Sequence, residues 1–200
     1  MKNDRFLIIF FSLITYISCS QNKIKYNEIV INSEKSKEWN LPELNVTSKI
    51  PKNYKLSYNE NDGFYLQARK FDNEGNLLAE ISIGRIEGEL EENNITETLK
   101  QADKGITEQL ENIEQVKYET TFIGENLING KKTKNLKGII EFINYQKTMN
   151  GKFFTLMVPI ILNKENKFIL SSMFRESENL DKNKISFELM SIMKSIKITE

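Results

Sequence analysis

The sequence predicts a layered α+β domain, a mainly antiparallel β-sheet covered by two helices. Three observations lead there. Two segments, near residues 95–113 and 185–196, carry apolar residues at helical spacing. Several shorter segments read as strands separated by turn-forming residues. One of these, Phe153 to Leu162, is apolar on both alternating faces, so it needs a cover on each side.

The chain opens with Lys2 and Arg5, interrupted by Asp4, followed by the apolar run Phe6 to Ile17. That run suits export and is short for crossing a bilayer. It ends in Tyr16-Ile17-Ser18-Cys19, with the only cysteine of the chain placed just after the apolar run. This resembles the lipobox of bacterial lipoproteins, with Tyr16 in place of the usual leucine. The resemblance implies a signal peptide over residues 1–18 and lipid on Cys19. Residues 19–35 are polar and lysine-rich, apart from Ile29, Val30 and Ile31. They read as a tether, with room for a short strand at its end. One domain then covers residues 36–200, because few prolines and glycines mark any internal boundary.

Within the domain, Tyr54 to Tyr58 reads as a strand after Ile50-Pro51. Phe64 to Phe71 and Leu77 to Ile83 flank the turn-rich Asp72 to Asn76 and form a hairpin. The first helix places Ile95, Leu99, Ala102, Ile106, Leu110 and Ile113 on one stripe. Asn94 with Glu97 fits a capping box at its start. Gly105 inside it costs roughly 1 kcal/mol relative to alanine. Val116 to Ile123 is the next strand. Gly138 to Tyr145 and Phe153 to Leu162 flank Asn150-Gly151, a hairpin signal. Pro159 marks a bulge or strand end. Phe168 to Arg175 follows. The second helix carries Ile185, Leu189, Ile192 and Ile196 on one face, widened by Phe187, Met190 and Met193.

The strand opening at Ile50-Pro51-Lys52-Asn53-Tyr54, the hairpin, the Ile95 to Ile113 helix and the strands through Phe174 form one pattern. A last helix closes it with Ser195-Ile196-Lys197-Ile198. In this pattern, over about residues 48 to 198, the chain resembles the PsbP/DcrB-like family. That family comprises small α/β/α sandwich domains of bacterial envelope lipoproteins and of the extrinsic PsbP subunit of photosystem II. The resemblance implies an α/β/α sandwich and an interaction or assembly role. It carries over no functional residue.

Composition narrows the chemistry. Basic and acidic residues balance at 28 each, so net charge argues neither for nucleic acid nor for an anionic surface. Histidine is absent, which removes the commonest general base and metal ligand. One cysteine excludes an intrachain disulfide and a cysteine-based zinc site.

The acidic Glu87, Glu89, Glu91 and Glu92 do not match an EF-hand, and suit a helix N-terminus. Gly124 and Gly130-Lys131 fail the phosphate-loop spacing. Lys131, Lys132, Lys134 and Lys137 read as a solvated loop, with an acidic partner or anionic lipid as the alternative. Glu111 and Glu114 read as a solvated face. A Ser-Lys nucleophile pair stays open, although no Gly-x-Ser-x-Gly elbow occurs. Arg69 and Arg175 fall out of phase with the apolar residues of their strands. They either end in water or line a polar groove.

The expectation is therefore a non-enzymatic, membrane-anchored envelope lipoprotein acting as a binding, scaffold or assembly factor. A small-ligand carrier with a pocket between sheet and helix is the alternative, and an enzyme ranks third. The expected partners are the membrane, through the anchor, and an envelope protein. No nucleic acid, cofactor or metal is expected. Ser20 is not the aspartate that retains some lipoproteins in the inner membrane, and no acidic run follows Cys19. The expected place is the periplasmic face of the outer membrane.

Overall fold

The structure is a computed structural model that describes residues 25–39, 43–58, 64–85, 95–111, 113–128, 131–146, 148–162, 167–178 and 180–199. The expected signal peptide over residues 1–18, Cys19, the acidic run 87–92 and Asn94 lie outside the described residues.

Chain order begins β1 (Tyr26–Ile31), α1 (Ser33–Glu38), β2 (Asn45–Pro51), β3 (Lys55–Ser57), β4 (Phe64–Phe71), β5 (Leu77–Arg85) and α2 (Ile95–Glu111). Next come β6 (Val116–Ile128), β7 (Lys131–Phe142), β8 (Gly151–Ile161), β9 (Lys167–Arg175), α3 (Lys182–Ser195) and β10 (Lys197–Thr199). All described pairings are antiparallel. Seven strands form one sheet in the order β3-β4-β5-β9-β8-β7-β6, and three form a second in the order β1-β2-β10.

The expected mainly antiparallel sheet is present, but three helices are described, not two, and the small second sheet was not foreseen. The short strand allowed for at the end of residues 19–35 is present as β1. Residues 26–31 pair along β2 and bury Ile29 and Ile31, and α1 follows directly. Helix α1 has no apolar repeat to announce it. Asn32 caps it by accepting from the Lys35 N–H at 3.0 Å, and buried Ser36 donates its hydroxyl to the Leu44 carbonyl at 3.0 Å.

The larger core lies on one face of the seven-stranded sheet. Ala79, Ile81 and Ile83 of β5, Phe168 and Leu170 of β9 and Val158 of β8 point there. They meet Ile185, Leu189, Ile192 and Met193 of α3, and the inward side of the small sheet through Ile29, Ile31, Val46 and Ile50. Helix α3 thus packs between the two sheets. Asp181 caps it by accepting from the N–H groups of Asn183 and Lys184, each at 3.0 Å. Phe187, expected on the core face, is 74% exposed. It stands two positions from both Ile185 and Leu189 and so projects from the other side of the helix.

A smaller core of Leu77, Val116, Phe142 and Phe153 lies on the opposite face, where Leu110 of α2 joins it. Leu99 is buried as the α2 stripe requires, whereas Ile113 falls beyond the helix end and is partly exposed. The side chains of Ala102 and Ile106 lie outside the description.

Strands β6 and β7 are longer than predicted and pair from Val116–Phe142 to Ile128–Lys131, so the lysine run is strand and not loop. β7 pairs with β8 only from Phe142–Gly151 to Leu136–Met157. Pro159 lies beyond the last of these pairs, on a stretch of β8 that pairs with β9 alone, where a missing N–H is tolerated. Asn150-Gly151 does end a turn, but the connection spans 143–150. Gly151 takes a positive φ of 111°, and the Asn150 side chain accepts from the Tyr145 N–H at 3.0 Å.

Candidate functional site: a groove beneath the last helix

The retreat of α3 toward β5 and β9 leaves the outer strands of the same face uncovered. A groove of about 380 Å³ opens there. Its apolar lining is Phe154 and Leu156 of β8, Phe174 of β9, and Leu189 and Met190 of α3. Phe154 and Phe174 lie in register across the strand pair, with ring centroids 5.2 Å apart. Polar residues surround this floor: Thr121, Thr155, Ser172 and Ser186, which carry hydroxyls, and Lys137 with its ammonium. Thr121 occupies the β6 bulge between Thr120 and Phe122. Lys137 stands 5.5 Å above the exposed Phe122 ring. Lys182, at the start of α3, donates to Glu176 at 2.8 Å and lies 5.2 Å over the Phe154 ring. That hydrogen bond holds the Glu176 carboxyl below the usual carboxylate range.

Arg69 and Arg175 lie elsewhere. Arg69 pairs across the sheet with Glu80, and Glu80 with Met173, two residues before Arg175. Both arginines therefore share the face opposite the groove. Arg69 donates to Glu80 at 2.7 Å and to Gln67 at 3.3 Å. Arg175 donates to the Leu77 carbonyl at 2.8 Å and the Thr148 carbonyl at 3.1 Å, and covers the Phe153 ring at 5.2 Å. The two guanidinium groups have separate partners. A hollow of about 70 Å³ on this face is lined by Glu80, Ser82, Thr155, Met157, Ser171 and Met173, and Ser82 and Ser171 share a hydrogen bond of 2.6 Å.

Two of the four lysines of the run share one carboxylate. Lys134 and Lys132 both pair with Glu125, the latter at 3.9 Å. Another charged cluster has no signal in the sequence. Tyr54 Oη and Lys70 Nζ each donate to Glu188 Oε1 at 2.8 Å, and Lys70 sits 5.7 Å over the Tyr54 ring. Burial pushes the Tyr54 phenol far up, and the Glu188 carboxylate adds to this. The phenol stays protonated near neutral pH, so it acts as a donor and not as a base. The spacing from Tyr54 to Lys70 to Glu188 has no local pattern, so only the fold reveals it.

Among the described residues no three carboxylates or thiols cluster to hold a metal, and no helix is long and apolar enough to cross a membrane.

No family model matches the chain, and no curated protein matches it. Solved structures do. Cyanobacterial PsbP, CyanoP, from Synechocystis sp. is 10% identical over 91% of this chain and 98% of its own, with a TM-score of 0.53. LpqN, involved in cell envelope biogenesis of Mycobacterium tuberculosis, is 10% identical over 94% and 97%, with a TM-score of 0.48. The Saccharomyces cerevisiae Ran-binding protein Mog1p is 10% identical over 86% and 96%, with a TM-score of 0.47. At such identities likeness concerns the fold alone, and the CyanoP match carries it. The chain has a PsbP-like fold.

Proposed function

We propose that this chain is a non-enzymatic binding or assembly factor of the bacterial cell envelope, held on the membrane by lipid at Cys19. Its binding surface is the groove beneath α3. One observation carries this reading: a groove with an apolar floor, four hydroxyl-bearing residues and one ammonium group, suited to grip a partner. Absence of histidine from the whole chain supports it, since acid–base work near neutral pH would need a strongly shifted Glu or Lys. The proposed location is the periplasmic face of the outer membrane, with the signal peptide at 1–18 removed.

The groove volume also favours a second reading, a small-ligand carrier, because pockets for small molecules run from about 300 to 1,000 Å³. One experiment separates the two. Ser186→Trp fills the groove from α3 without touching the core positions. The lipidated chain and this variant are crosslinked in cells and also isolated for native mass spectrometry. A protein crosslink that saturates and disappears in the variant supports the assembly reading. A bound small molecule that disappears in the variant supports the carrier. Substrate turnover abolished by one serine, lysine or carboxylate substitution would sink both.

A further inference from the structure

The outward face of the small sheet combines exposed apolar side chains with lysines. Tyr26 and Val30 project from β1 and are 47% and 65% exposed. Glu28 lies between them and meets Lys49 of β2 at 3.9 Å. Lys197 of β10 stands opposite Thr47, which in turn stands opposite Val30. At the end where the chain enters, the Lys52 N–H donates to the Lys25 carbonyl at 2.8 Å, so these two residues adjoin. Among the described residues, the face itself carries Lys197 and the Lys49–Glu28 pair, and its entry end adds Lys25 and Lys52. Lysines there outnumber the described carboxylates.

The second observation is a length. Lys25 follows Cys19 by six residues. Fully extended, such a segment spans at most about 20 Å, and a flexible one covers less. A lipid on Cys19 would therefore keep the β1 end of the small sheet within that distance of the bilayer. Lysine stems and a tyrosine ring suit the headgroup layer, where the ring lies at the interface and the ammonium groups meet phosphates.

We infer that the outward β1-β2-β10 face is the membrane-facing surface, resting on anionic phospholipid and orienting the domain on its anchor. This deepens the lipid-anchor reading and rests on it. Helix α3 meets the small sheet at its C-terminal end, where Ser195 Oγ accepts from the Lys49 N–H at 2.9 Å. The groove is lined by the earlier turns of α3, from Ser186 to Met190. The domain would thereby hold its groove away from the lipid, toward a partner.

The test uses the lipidated chain in vesicles of phosphatidylethanolamine and phosphatidylglycerol. Tyr26→Cys and, separately, Tyr145→Cys provide a labelling thiol, since the Cys19 sulfur is already substituted. Tyr145 packs on Phe142 in the core on the far side of the large sheet. Each label is quenched by headgroup-labelled nitroxide lipid, with flotation and the mass of Cys19 measured on the same samples. The expected result is several-fold stronger quenching at 26 than at 145, erased by Lys25→Glu with Lys49→Glu and Lys52→Glu while flotation persists. Flotation with equal quenching at both positions overturns the orientation and leaves the anchor standing. A Cys19 without lipid and no flotation overturns both. Protection of position 26 in cells without quenching in vesicles assigns the face to a protein and also overturns the inference.

Discussion

At the residue scale, two sites tie function-neutral chemistry to stability. Glu188 gathers Tyr54 and Lys70 onto one half-buried oxygen, joining α3 to β4 and to the turn before β3. Glu188→Ala leaves a buried hydroxyl and a mostly buried ammonium unpaired, and should cost about 2–4 kcal/mol in urea unfolding. Glu188→Gln keeps an acceptor and should cost less. The same site sets a pH dependence. The Tyr54 phenol is raised in the folded chain, so above the ordinary phenol value of about 10 only the unfolded chain loses that proton. Stability should be full below that pH and fall above it. Tyr54→Phe should flatten the alkaline slope, although Tyr118, also raised mainly by burial, keeps part of it. An unchanged slope in Tyr54→Phe would refute the assignment. Gly138 is the second site. A Cβ there would meet the Tyr118 ring at 2.9 Å and the Glu119 carbonyl at 3.0 Å. Gly138→Ala should destabilise by about 1–3 kcal/mol, since a backbone oxygen in a paired strand has little room to move.

At the element scale, β1 belongs to the fold and not to the tether. It supplies Ile29 and Ile31 to the main core and covers one edge of β2. A chain beginning at Ser36 loses both side chains, each worth about 1.5–3 kcal/mol of burial, and exposes β2 as a hydrogen-bonding edge. It should aggregate or melt well below a chain beginning at Asn22. Equal melting temperatures would show that β1 is dispensable. The elements legible in the sequence were those whose apolar period is long. The α3 stripe Ile185, Leu189 and Ile192 is buried as read, and β8 with its two apolar faces meets a core on each side. The elements missed owe their form to partners distant in sequence. α1 is one turn and a half held by Leu44, and β10 exists only by pairing with β2. The β6-β7 ribbon was hidden by its lysines, which a two-stranded arm can expose on both sides. The groove was illegible for the same reason: its lining comes from four strands and a helix, and each apolar residue alone reads as core. Arg69 and Arg175 were singled out by their phase against the apolar residues, as ending in water or lining a polar groove, but not the carbonyls and carboxylate that engage them.

At the scale of the whole molecule, the proposed anchor at Cys19 and the fold should be separable, and that separation is measurable. Among the described residues, the two cores draw on side chains from Ile29 onward. Lipid on Cys19, as proposed, would act through partition: each buried CH₂ contributes about 0.8 kcal/mol, so one chain would hold weakly and two or three firmly. Confinement to one membrane then raises the effective concentration of a partner held there, so a modest groove suffices for association. Cys19→Ala should abolish incorporation of labelled fatty acid and move the protein from the salt-washed membrane fraction to the soluble one. Its melting temperature should equal that of the unlipidated wild-type domain. Its groove-dependent crosslink should weaken in cells yet recover when the soluble domain is supplied in excess, because the contact surface is intact and only its local concentration has fallen. Labelled fatty acid still entering the Cys19→Ala chain would place the anchor elsewhere. A crosslink that fails to recover in excess would mean that the membrane supplies part of the binding surface itself, and not proximity alone.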